Sequence, residues 1–130
     1  MLHLDEPGAA LLCVSGAPGL VVTDVDSTLI SQEVIEELAE AAGTREQVAE
    51  ITSRAMNGEL DFAQSLRERV ATLAGVPESV CGDILTSITP TKGARELIEA
   101  THQAGGHFGV VSGGFEEVVA PLAASLGIDF

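Results

Sequence analysis

At 130 residues the chain is one domain by length, and 45% hydrophobic residues with a mean hydropathy of +0.30 exclude wholesale disorder. Six basic against twenty acidic residues give a net charge of −14, which excludes nucleic acid and anionic membrane surfaces as partners and requires any anionic ligand to find a local site of metal or backbone N–H groups. No apolar run approaches the ~20 residues of a membrane span, and Cys13 and Cys81 match no metal spacing, so a cytoplasmic protein with two reduced thiols is expected.

Residues 1–19 read as a lead-in or the remnant of a preceding domain. Asp5 and Glu6 argue against a targeting peptide, and AALLCVSG reads as a short strand. Residues 20–30 begin with LVVTDVD, a short continuous β-rich run expected to be buried on both faces. Residues 31–86 change texture to helix. Val34, Ile35 and Leu38 fall at helical spacing; Thr44 and Gln47 have capping-box spacing before Val48, Ile51 and Ala55. Phe62, Leu66, Val70 and Leu73 form a further stripe, and Pro77 opens a fourth short helix.

Residues 87–90 are the expected return hinge, and 91–130 resume an α/β pattern. Ala94, Leu97, Ile98 and Thr101 mark a helix, HFGVVSGG a second buried strand, Val118, Val119, Leu122 and Leu126 another helix, and IDF the start of a third strand. This order predicts an α/β fold. A parallel Rossmann-like sheet, incomplete, carries an all-helical cap inserted after its first strand.

Asp24 and Asp26 stand where the first strand ends, and a carboxylate buried there without a partner is costly. Strand alternation puts both on one side of the chain with Val25 turned away. One reading is a solvated turn with Ser27 or Thr28 capping the next helix. The other is a metal and phosphate site, since two hard oxygen donors suit Mg²⁺. Ligands of parallel α/β sheets bind outside the carboxyl ends of strands. Ser112, Gly113 and Gly114 end the second strand, where backbone N–H groups at a helix start can hold an anion. A carboxylate and a phosphate about 4 Å apart repel by roughly 4 kcal/mol per charge pair at an effective dielectric of about 20. A divalent ion offsets that repulsion and permits nucleophilic attack by Asp24. His3, His102 and His107 offer no rival centre, the latter two flanking a solvated turn.

DxDST at a strand end, followed by a helical insertion and a strand-SGG, resembles the haloacid dehalogenase-like phosphotransferases. AMNGELDFAQSLRERV, with Glu33 ahead and ITPTKGA behind, resembles their phosphoserine phosphatase branch. The resemblance covers residues 20–130. It implies Mg²⁺-dependent hydrolysis of phosphoserine, the last step of serine biosynthesis, with Asp24 the nucleophile and Asp26 the general acid/base. It further implies metal contacts from the Asp24 carboxylate and the Asp26 backbone carbonyl, and phosphate contacts from Ser112 and Gly113. Glu33 and Arg69 would meet the substrate ammonium and carboxylate, and Met56 and Phe62 would shield the site from water.

The family also uses a later lysine and a Gly-Asp-Gly-x-Asn-Asp loop. Lys92, the only lysine, precedes Ser112, and Glu116, Glu117 and Asp129 lie in no such loop. The expectation is therefore the first part of a phosphatase, weakly active or inactive alone, with an open sheet edge prone to aggregation or homodimer formation. A related small-molecule phosphatase or phosphotransferase, and a truncated non-catalytic binding fragment, are the alternatives.

Overall fold

The computed structural model describes residues 16–130, so Cys13 and nearly all of the AALLCVSG segment lie outside it. Strand β1 (Leu20–Thr23) pairs in parallel with β2 (His107–Val110), Leu20 opposite His107 and Thr23 opposite Val110. Helices α1 (Val34–Ala42), α2 (Arg45–Met56), α3 (Phe62–Ala71) and α4 (Ser79–Ser87) lie between the strands in sequence. Helix α5 (Ala94–Gln103) precedes β2 and α6 (Glu116–Leu126) follows it. This is the α/β order with a helical insertion expected from the pattern.

The chain end lies along the other side of β2, where Asp129 N–H donates to the Phe108 carbonyl and Val110 N–H to the Phe130 carbonyl, both at 2.8 Å. The Phe130 ring lies against Gly109, where any β-carbon would run into it. Asp129 Oδ2 accepts the Phe108 N–H at 2.7 Å and lies 3.0 Å from His102 Nε2. That N–H, and the imidazole after it, hold the Asp129 carboxyl below its ordinary range. His102 and His107 therefore flank a carboxylate while their side chains stay in contact with solvent, as the turn position implies.

Among the described residues β1 has one neighbour, β2. Leu20 and Val22 are 56% and 46% exposed, which corrects the expectation of a strand buried on both faces. Helix α5 leaves a groove beside β1, lined by Val22, Leu97 and Lys92, so these side chains stay in contact with water.

The core gathers Val25, Ile30, Val34, Leu38, Ile84, Ile98, Phe108, Val118 and Leu122 from both strand regions and from α1, α4, α5 and α6. Each such side chain contributes about 1.5–3 kcal/mol on burial. Helices α1 and α4 of the insertion thus share the core with α6, while α2 and α3 pack on each other.

Two local expectations fail for physical reasons. The Thr44 hydroxyl makes no cap; it reaches Thr72 Oγ1 at 3.4 Å, and the Thr44 backbone is not extended. The capping box forms at Asp61 and Gln64, where Asp61 is extended and each side chain bonds the other's amide. Along α3 the apolar stripe is not the buried face. Phe62 and Val70 are exposed, and Ser65 is the buried residue.

Candidate active site

Strand β1 ends at Thr23, and Val25, fully buried, anchors a wide turn closed by Ile30 N–H donating to the Val25 carbonyl at 3.1 Å. Asp24 and Asp26 both keep extended backbones, so their side chains share one side although the strand has ended. Ser27 then adopts the left-handed conformation (φ 52°), which turns the chain back toward α1.

The turn delivers Asp26 to the start of α1. Its Oδ1 accepts the Val34 N–H at 2.7 Å, a favourable place for an anion. Burial nevertheless raises the Asp26 pKa above the ordinary carboxylate value, and the charges of Glu33 and Asp24 push the same way. The Val34 N–H opposes them without reversing the outcome. Ser27 Oγ donates to Glu33 Oε1 at 2.7 Å, which places Glu33 beside the two aspartates.

These groups open onto a cleft of about 250 Å³. Asp24, Asp26 and Glu33 line it from the turn, Phe62 and Arg69 from α3, and Gly113 from the loop after β2. Val34, Ile35, Leu66, Gly114 and Phe115 complete the lining. Arg69 donates through Nε to the Ser65 carbonyl at 3.4 Å and has no carboxylate partner among the described residues. Arg54 differs, being paired with Glu68 at 2.9 Å and Glu59 at 3.6 Å. The cleft therefore offers an uncommitted cation facing a cluster of three acids.

Ser112 does not line this cleft. Its Oγ accepts the Gly114 N–H at 2.9 Å, and the residue borders an adjoining groove along α6. Met56 is 84% exposed and lines a shallow groove with Leu60 and Ser65; Phe62, 73% exposed, borders both that groove and the cleft. Lys92 lies in the groove beside β1, away from the aspartates.

A β-carbon on Gly114 would sit 3.0 Å from Ser112 Oγ and 3.3 Å from Asp26 Oδ2, tight enough to press on both side chains. The sequence does not reveal this contact, although it marks Gly114 at the strand end. Ser27, a candidate cap by residue type, instead holds Glu33; nothing local in sequence distinguishes the two roles.

Among the described residues no three His, Cys, Asp or Glu side chains are set to hold a metal. Two carboxylates and backbone carbonyls are hard donors that fit a divalent cation completing its shell with water and substrate oxygens. No helix among the described residues is long and apolar enough to cross a membrane.

Residues 21–130 match the family model of the haloacid dehalogenase-like hydrolases. The phosphoserine phosphatase of Streptococcus thermophilus is 53% identical over 117 residues, covering 90% of this chain and 54% of that protein. The phosphoserine phosphatase of Lactococcus lactis is 53% identical over 114 residues, 88% of this chain and 53% of that protein. A solved structure described as a phospho-aspartyl intermediate analogue of phosphoserine phosphatase superposes with a TM-score of 0.76 at 42% identity. It covers 87% of this chain and 54% of the other. The chain thus spans about half the length of the curated relatives it matches.

Proposed function

The chain belongs to the haloacid dehalogenase-like hydrolases, and on that premise we propose that it hydrolyses O-phospho-L-serine to L-serine and phosphate through Asp24. The observation that carries this reading is the convergence of Asp24, Asp26, Glu33 and Arg69 on one cleft with Gly113. Phosphoserine bears an ammonium and a carboxylate beside its phosphate. Glu33 suits the first, and the unpaired Arg69 guanidinium grips the second in a bidentate way. The names of the relatives, phosphoserine phosphatases, support the same substrate.

In the first step Asp24 Oδ forms a bond to phosphorus as the bond to the serine oxygen breaks. Asp26 gives its proton to that leaving oxygen. Burial favours the protonated form needed for this role. In the second step Asp26 takes a proton from water, whose oxygen bonds phosphorus as the Asp24–phosphorus bond breaks. The Gly113 amide, on the cleft, would stabilise the phosphoryl oxygens. Ser112 would join it by turning from the adjoining groove, which would also free the Gly114 amide its hydroxyl now accepts. Mg²⁺, held by the Asp24 carboxylate and the Asp26 backbone carbonyl, would offset the repulsion between acid and phosphate. Phe62 borders the cleft and Met56 the adjoining groove, and both would exclude water once substrate is bound. The proposed setting is cytoplasmic serine biosynthesis. Exposed Leu20 and Val22 support association between copies, which sedimentation velocity would detect.

The test is phosphate release from phosphoserine by the mass-verified chain, with and without Mg²⁺, using Asp24→Asn as control. Mg²⁺-dependent turnover lost in the Asn variant supports the reading. An Asn variant as fast as wild type overturns the nucleophile assignment. Phosphoserine binding without turnover favours a binding fragment, and preference for another phosphomonoester favours a related phosphatase.

A further inference from the structure

The chain crosses between the sheet and the helical insertion twice, outward through residues 30–33 and back through 87–91. The two crossings run side by side. Ile30 and Pro90 pair antiparallel, Ser31 N–H donates to the Thr89 carbonyl at 3.0 Å, and Thr91 N–H to the Leu29 carbonyl at 2.9 Å. Thr91 Oγ1 adds a bond to the Thr28 carbonyl at 2.6 Å.

Gln32 closes this arrangement with its side chain. Its Nε2 donates to the Ser87 carbonyl at 3.1 Å, and its Oε1 accepts the Thr89 N–H at 3.1 Å. Ser87 is the last residue of α4, where carbonyls have no helical partner, so Gln32 satisfies one of them from across the junction. Its own carbonyl accepts the Ser27 N–H at 3.0 Å, inside the turn that carries Asp26. One residue therefore touches the turn, the return crossing and the end of α4, and it immediately precedes Glu33. A single exposed hydrogen bond is worth little, but a carboxamide using both ends fixes separation and orientation together.

We propose that Gln32 is a positioning residue: its carboxamide latches the return crossing to the outgoing one and so fixes Glu33 and Arg69 over Asp24 and Asp26. The substrate roles of Glu33 and Arg69 rest on the function proposed above; the latch rests on the hydrogen bonds alone.

The test pairs amide hydrogen exchange by NMR with steady-state kinetics on the 130-residue chain. In Gln32→Ala, exchange at Thr89, Ser31 and Thr91 should quicken about tenfold while Val111 and Asp129, bonded within the sheet, stay unchanged. Gln32→Glu keeps the acceptor for Thr89 and should restore protection there. KM for phosphoserine should rise about fivefold in Gln32→Ala with kcat nearly constant, and KM for p-nitrophenyl phosphate, which lacks the amino-acid groups, should not move. Unchanged exchange at Thr89 and Ser31 overturns the latch. Equal KM increases for both substrates overturn the positioning role. If the wild-type chain does not turn over phosphoserine, the functional reading fails, and the exchange result still decides the latch.

Discussion

Asp26 accepts the first amide of α1: its Oδ1 lies 2.7 Å from the Val34 nitrogen, while Oδ2 faces the empty space above Gly114. A helix start beside a carboxylate ordinarily lowers its pKa, yet burial and the neighbouring Glu33 and Asp24 prevail and raise it.

The sign of that shift sets a pH dependence. A carboxyl whose folded-state pKa is raised contributes stability below its unfolded value, near 3.8, and loses it as pH rises through the folded value. Asp26→Asn keeps an oxygen for the Val34 N–H and removes the titration. The Tm curves of wild type and Asn variant should converge in acid and separate above it, with the variant higher at neutral pH. Phosphoserine turnover should meanwhile fall about 100- to 10,000-fold. Parallel Tm curves across the range would sink the burial argument.

Ser27 holds Glu33 through its hydroxyl from a left-handed backbone. Ser27→Gly removes the hydroxyl and suits the backbone, so folding should be preserved. KM for phosphoserine should rise about five- to tenfold, from the loss of one hydrogen bond to a charged group. Kinetics against p-nitrophenyl phosphate provide the comparison, which should be flat.

Arg69 has no carboxylate partner among the described residues, so replacing it should leave no acid stranded. Arg69→Ala should keep the thermal midpoint within a few degrees and weaken phosphoserine about 10- to 100-fold. Arg69→Lys should recover only part of this, because an ammonium cannot reproduce the bidentate grip. Isothermal titration with phosphoserine on an Asp24→Asn background separates this from effects on chemistry.

Gly109 in β2 faces the Phe130 ring, and Gly109→Ala must displace it. Overpacking in a core costs about 1–3 kcal/mol. The Phe130 ring is 60% exposed and can swing aside, so the loss here should fall at or below the low end of that range. Denaturant unfolding should show that loss, and the amides of Val110 and Asp129, which bond across the same contact, should lose protection first.

Much of the fold was legible because its signals are local. Periodicity placed the two strand regions and the helices, and glycines marked their ends. The carboxylates of the cleft were legible too, since an acid at the end of an apolar run needs a reason. The same spacing rule misled at Thr44 and Gln47 and went unused at Asp61 and Gln64. Which box closes depends on the backbone angles of the N-cap, and these are set by the preceding turn. The α3 stripe misled because an apolar residue beside a cleft and one in a core look alike in sequence.

By itself, then, the chain's sequence determined which chemistry is present: two aspartates at a strand end, a glycine pair, and an acid and an arginine within the insertion. Tertiary structure decided how these groups act. Glu33 and Arg69 are far apart in sequence and share a cleft only because α1 and α3 are brought to the end of β1. The raised pKa of Asp26 is likewise invisible in its neighbours along the chain. Desolvation depends on every atom that displaces water from the carboxyl, and those atoms come from segments that meet only in the fold.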